Sequence, residues 1–314
     1  MIMPSLTLLH RLMSLGIMAI LLLAACSVNA DTNQSTLVRH QPPDQVDGDE
    51  RDDYAIRLLN LAMDRTADDY GPASLHAIGV RMSQDRAIRE MREGRYLDVF
   101  WGMTSRAREE ELLPVRIPMA RGLLGVRALV AREETRPRLG AVTSVQELSA
   151  FSMGQGHDWP DTVILTHNGL RVTTSSTYYS LFRMLRAGRF DLFPRGVNEL
   201  QAEARLYQAF DVGPSTDVVL AYYAPNYFFV QRDNQALAER IETGLRRAMA
   251  DGSFSALLST HPSTRHALDL LTLHQPLVLA LDNPGLPEAT PVDDATLWYR
   301  PVFDNLHQPG DQHP

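Results

Sequence analysis

Two long extended stretches constrain the fold most: "VRIPMARGLLGVRALVARE" (residues 115–133) and "TDVVLAYYAPNYFFVQRD" (216–233). Each is longer than an ordinary strand of about 5–6 residues, and together they bracket a block of alternating strand and helix patterns. Before them, "TLVRH" (36–40) reads as a strand and "QPPDQVDGDE" as a loop. "RDDYAIRLLNLAMDRT" puts Tyr54, Leu58, Leu61 and Ala62 on one helical face. A strand near 74–80, a helix stopped by Gly94 and a strand in "YLDVFWGMTSR" follow. The bracketed block repeats the alternation, with "FSMGQG", a helix after Trp159, "LRVTTSS", a helix in "TYYSLFRMLRAG", a strand in "RFDLF" ending at Pro194, and a helix from about 197 to 210. Alternation of this kind predicts mostly parallel sheets flanked by helices. A chain of 314 residues usually forms two lobes rather than one.

The first 25 residues carry one charge, Arg11, ahead of an apolar run from Leu12 to Ala25. A run of that length with a basic start reads as an export signal, short for a membrane span. Two processing sites are open. "LAAC" ending at Cys26 resembles a bacterial lipoprotein box, which would anchor the protein to the membrane through lipidated Cys26, and "VNA" at 28–30 suits an ordinary signal peptidase. Cys26 is the only cysteine, so no intramolecular disulfide supports the fold. The net charge of −8 argues against a nucleic-acid partner. All 30 basic residues are arginine, which excludes P-loop, Schiff-base and general-base lysine chemistry. No HExxH, CxxC or GxSxG motif occurs, and "GQG" at 154–156 lacks the third glycine of a dinucleotide fingerprint. Neither a cofactor nor a metal is expected.

Four local motifs, in this order, resemble the bacterial extracellular solute-binding proteins of family 3: "QPPDQVDG" (41–48), "GMTSRAREE" (102–110), "MLRAGRFDLF" (184–193) and "ALAERIETGLRRAMADGSFSALL" (236–258). The resemblance covers roughly residues 35–285. It implies an α/β, two-lobed periplasmic binding protein type II fold, each lobe a mostly parallel sheet flanked by helices. The long stretches become two hinge crossovers, and ligand binds in the cleft between the lobes. The implied division is a signal peptide at 1–30, the first part of lobe 1 at 31–130, an inserted lobe 2 at 131–220, a return to lobe 1 at 221–290 and a proline-rich tail at 291–314. Leu297, Trp298 and Tyr299 in the tail read as a surface strap.

Ligands of open parallel sheets sit beyond the carboxyl ends of strands, where the candidate residues cluster. In lobe 1 they are Trp101, Thr104, Arg106 and Arg108. Relatives hold a ligand carboxylate with a Thr and an Arg here, and either arginine suits that role. The alternative is surface pairing with Glu109, Glu110 or Glu111. In lobe 2, "GQGHDW" resembles the family's anion-binding turn and offers Gln155, Gly156 and His157. The aspartate that receives an ammonium in relatives falls at Gly196, with Arg195, Asn198 and Glu199 standing around it. If Arg195 faces the cleft, the ligand carries a second anionic group; alternatively, Arg195 forms a salt bridge within the lobe. Trp101 and Trp159 serve ligand stacking or core packing.

The implied function is capture of a small polar, carboxylate-bearing solute by hinge closure, delivered to an ABC-type permease or a sensor partner in the inner membrane, without catalysis. Two alternatives stay open: an envelope protein with a degenerate cleft, and a dehydratase on this fold using His157, Asp158 or Glu199.

Overall fold

The computed structural model describes residues 35–43, 52–304 and 306. The expected signal segment 1–30 and Cys26 lie outside these residues. Lobe 1 begins with β1 (Thr36–His40), α1 (Asp53–Asp64), α2 (Ala67–Tyr70), β2 (Ala73–Ala77), α3 (Gln84–Arg92), β3 (Val99–Met103), α4 (Arg106–Glu111) and β4 (Leu112–Val115). Lobe 2 contains β5 (Val126–Arg132), α5 (Val145–Leu148), β6 (Ser152–Gly156), α6 (Pro160–His167), β7 (Arg171–Ser175), α7 (Tyr178–Arg186), β8 (Leu192–Gly196), α8 (Ala204–Phe210) and β9 (Val212–Ala221). The chain then returns through β10 (Asn226–Gln231), α9 (Gln235–Ala250), α10 (Ser253–Thr260), α11 (Pro262–Leu273), β11 (Leu277–Ala280) and a short α12 (Arg300–Phe303).

In lobe 1, β1 and β2 pair in parallel, and β10 lies antiparallel between β3 and β4. The Asp98 amide donates to the Arg39 carbonyl at 2.9 Å and joins the two pieces. Side chains alternate along β10: Phe228 and Val230 pack on one face and Tyr227 and Phe229 on the other, so both faces are buried. Lobe 2 is a six-stranded sheet ordered β11-β9-β5-β8-β6-β7. β5 alternates likewise, Val126, Ala128 and Val130 against Leu129 and Ala131. Each large apolar side chain buried in this way contributes about 1.5–3 kcal/mol.

The long stretches differ from the simple expectation. Each is two strands in two sheets, β4 then β5 and β9 then β10, separated by turns at 116–125 and 222–225. These two turns are the lobe crossovers. The sequence-based boundaries at 130/131 and 220/221 fall inside or at the end of lobe 2 strands, and β11, expected in the lobe 1 return, pairs in parallel with β9 at the edge of the lobe 2 sheet.

β8 also differs: it runs through Pro194 to Gly196, pairing Pro194 with Leu129 and Arg195 with Ala128 of β5. The expected helix from 197 begins only at Ala204, because residues 197–203 form turns around Glu199 and Glu203. Among the described residues no helix is long and apolar enough to cross a membrane.

Candidate functional site

The interlobe cleft encloses a cavity of ≈ 190 Å³. Lobe 1 contributes Asp52, Tyr54, Arg81, Trp101, Asn226 and Ser263 to its wall, and lobe 2 contributes Arg127, Trp159, Asp161, Arg195, Asn198 and Glu199. Of the residues expected from sequence, the fold brings Trp101, Arg195, Asn198 and Glu199 together here, along with Trp159. The contributions of Asp52, Arg81, Arg127, Asp161, Asn226 and Ser263 had no motif to announce them.

β8 delivers Arg195 to the cavity floor, 3 % exposed. Its Nη2 donates to Glu203 at 2.6 Å and to Glu199 at 2.8 Å, and its Nε lies 3.1 Å from both Glu203 oxygens. The fully buried Glu203 also accepts the Tyr178 hydroxyl at 2.6 Å and the Tyr207 hydroxyl at 2.7 Å. The guanidinium carbon lies 5.0 Å from the Trp159 ring centre. Burial opposes the charge on Arg195, but Glu199 and Glu203 outweigh it and hold the group protonated well above its ordinary value. Of the two sequence readings of Arg195, the salt bridge within the lobe is the arrangement observed, even though the side chain reaches the cavity.

Arg127 is neutralised in the same way. Its Nη2 lies 2.7 Å from Asp161 and its Nη1 3.3 Å from Glu199, and its Nε donates to the Tyr222 hydroxyl at 3.0 Å. Tyr222 in turn donates to Asp161. Across the cleft Asp52 accepts from the Trp101 indole at 2.9 Å and from Arg81 at 2.5 Å. Every arginine in the wall therefore has a carboxylate. By contrast, Asn198 and Asn226, one from each lobe, bury an amide oxygen without a protein partner. Such an acceptor costs about 1–3 kcal/mol when left unmade.

The remaining candidates lie off the wall. The Thr104 hydroxyl is taken by Glu109 at 2.6 Å, and Glu109 also binds Arg116. Arg106 is exposed at the start of α4. Arg108 is 5 % exposed beneath β3, donating to the Met103 carbonyl and to Gln84 at 2.8 Å. Burial pulls its guanidinium down to about 10. Gln155 is buried behind β8, donating to the Pro194 carbonyl at 3.3 Å. At Gly156 a Cβ would lie 2.5 Å from the Trp159 indole, so this glycine makes room for the ring.

His157 is exposed at the cleft mouth, where donor atoms of Asp85, His157 and Asp158 lie within 4.8 Å of one another. The nearby Arg108 charge, which acts on Asp85 and Asp158, opposes a cation there. His261 contacts Ser263 Oγ at 2.8 Å and Asp53 at 2.9 Å, an order reminiscent of a hydrolytic relay. The Ser263 amide also donates to the same ring nitrogen at 3.3 Å, and Arg57 shares Asp53, so the group is a cap on α11.

No protein-family model matches the chain, and no curated protein matches it. Solved structures do. An ancestral amino-acid-binding protein described as a precursor of cyclohexadienyl dehydratase aligns with a TM-score of 0.53 at 12% identity, over 73% of this chain and 95% of that one. An ancestral arginine-binding protein bound to arginine gives 0.51 at 16% identity, over 73% and 98%. A periplasmic binding protein of Salmonella typhimurium with high arginine specificity gives 0.51 at 16%, over 72% and 98%. The chain therefore has the two-lobed α/β fold of the type II periplasmic binding proteins.

Proposed function

We propose that this protein binds a small polar solute in the interlobe cavity and that binding draws the two lobes together. The observation that carries this reading is a polar cavity walled by both lobes, with Asn198 of lobe 2 and Asn226 of lobe 1 among its lining residues. A solute that contacts both walls does so only when the lobes are close, so it binds the closed arrangement better and shifts the population toward it. Trp101 and Trp159 add apolar faces to the same cavity. The engaged state of Arg127 and Arg195 favours a neutral or zwitterionic solute over a dicarboxylate, because an added carboxylate must compete with Asp161, Glu199 and Glu203. An amino acid fits this description, and the fold's presence in amino-acid-binding proteins supports it. Delivery to an ABC-type permease or to a sensor is the role such binding serves.

The test is a thermal-shift screen of the purified protein against amino acids, dicarboxylates and polyamines, after removal of carried-over solute by partial unfolding. A ligand at 100 times its Kd adds about 2.7 kcal/mol, or roughly 5 °C or more. A hit that Asn198→Leu and Asn226→Leu each weaken at least tenfold supports the reading. A hit unaffected by both substitutions places the solute elsewhere, and a flat screen favours a degenerate cleft.

A further inference from the structure

The C-terminal segment from Pro291 to Asp304, in which Leu297, Trp298 and Tyr299 were expected to form a surface strap, is not superficial. Trp298 and Phe303 are 2 % and 3 % exposed, and what buries them is the hinge. On the first crossover, Gly122 adopts φ +78°, and a Cβ there would lie 2.6 Å from the Trp298 ring and 2.9 Å from Phe303. The neighbouring Arg121 carbonyl accepts the Tyr299 amide at 2.9 Å. On the second crossover, the Tyr223 ring meets Trp298 edge-on at 4.9 Å and Phe303 at 5.2 Å. Trp298 and Phe303 themselves lie 5.1 Å apart, and the indole N–H donates to the Pro291 carbonyl at 2.9 Å, closing the segment on itself.

The chain leading to the strap joins the lobes as well. Asp282 exchanges hydrogen bonds with the Asn168 side chain of lobe 2 at 2.8 and 3.0 Å. Three residues later the Gly285 carbonyl accepts the Arg106 amide of lobe 1 at 3.2 Å. Asn283 donates to the Tyr223 carbonyl at 2.9 Å, between these two points.

Hinge motion is absorbed by a few residues that change φ and ψ. The strap packs aromatic rings against both crossovers at once, so those residues cannot rotate without uncovering Trp298 and Phe303. We propose that residues 291–304 are a third hinge element, a clasp that holds the lobes in the arrangement observed and sets how often the cleft opens. The proposal goes beyond solute binding and rests on that reading only for its effect on affinity. Opening is itself measurable without solute.

The experiment uses the full chain with Cys26→Ala, Arg89→Cys on α3 and Val163→Cys on α6, two exposed positions in opposite lobes. Spin labels at the two engineered cysteines report the interlobe distance by pulsed electron–electron resonance in solute-free protein. A single narrow distance is expected for this parent. Adding Trp298→Ala should produce a second, longer distance, with its population raised at least threefold. If Trp298→Ala melts without a cooperative transition, Trp298→Leu, which trims the ring but keeps an apolar contact, is read in the same way. A folded strap variant with an unchanged or shorter distance overturns the proposal. A flat solute screen has no bearing on this readout, so failure of the binding reading and failure of the clasp are separable.

Discussion

Glu203→Leu is the most informative perturbation. Glu203 is fully buried and receives the Arg195 guanidinium and two tyrosine hydroxyls. Removing its charge leaves Arg195 with Glu199, which Arg127 already shares. Breaking a buried pair from one side costs about 3–5 kcal/mol, and each orphaned hydroxyl adds up to about 1 kcal/mol where it finds no water. We expect a loss of about 4 kcal/mol. For a chain of this size that corresponds to roughly 8–16 °C in the melting midpoint, read by calorimetry and checked by urea denaturation. The same physics makes a second demand. With Arg195→Met added, no buried cation is left without its partner; Glu199 keeps Arg127 and partial contact with solvent, and the double variant should recover to within about 1–2 kcal/mol of wild type. A single-variant loss below about 1 kcal/mol, or a double variant no better than the single, would refute the claim that Glu203 holds the cavity floor by pairing with Arg195.

Three further outcomes are expected. Burial pushes the Asp191 carboxyl up, but the Ser152 amide and hydroxyl, both at 2.8 Å, and the charges of Arg132 and Arg138 outweigh it and hold it below the ordinary carboxylate range. A depressed folded value stabilises above the unfolded one and is lost as pH falls through the folded one. Asp191→Asn should therefore cost about 1 kcal/mol at pH 7, allowing for partial exposure, and the gap to wild type should close below about pH 4; a constant gap over pH 2–7 refutes the pairing. Gly156→Ala should displace the Trp159 ring and cost about 1–3 kcal/mol, with a shift of tryptophan emission that is absent in Trp159→Phe. The chain's three tryptophans stand at informative places, Trp101 and Trp159 in the cavity and Trp298 on the strap. A solute-induced change in emission should survive Trp298→Phe and vanish in the Trp101→Phe/Trp159→Phe variant, whereas persistence there puts the solute outside the cavity.

Much of the fold was legible because it is locally encoded. The helical faces at 53–64 and 235–250 and the strands at 36–40 and 73–77 follow from side-chain period alone. The crossovers were harder to read. Apolar runs continue through Gly122 and through Tyr222–Tyr223, so nothing in the pattern marks where one sheet ends and another begins. Pro194 looked like a strand end for a similar reason: its missing N–H argues against a central strand, yet β5 and β6 flank it.

The candidate site was legible by region and not by residue. Sequence located loops at strand ends, and Trp101, Trp159, Arg195, Asn198 and Glu199 came from them. It could not choose among neighbouring arginines, because the direction of a guanidinium depends on what it pairs with. Arg108 turned beneath β3, Arg106 stayed in solvent, and Arg127, in an apolar strand with no motif, entered the wall.

The sequence by itself determined two alternating α/β blocks, the absence of lysine chemistry and the dependence of stability on apolar burial, since these are properties of composition and period. Tertiary structure decided that the cavity arginines are already neutralised and that Trp298 packs against both segments connecting the sheets. Both outcomes join residues far apart in the chain, Arg127 with Asp161 and Gly122 with Trp298, and such pairings exist only once the lobes have formed.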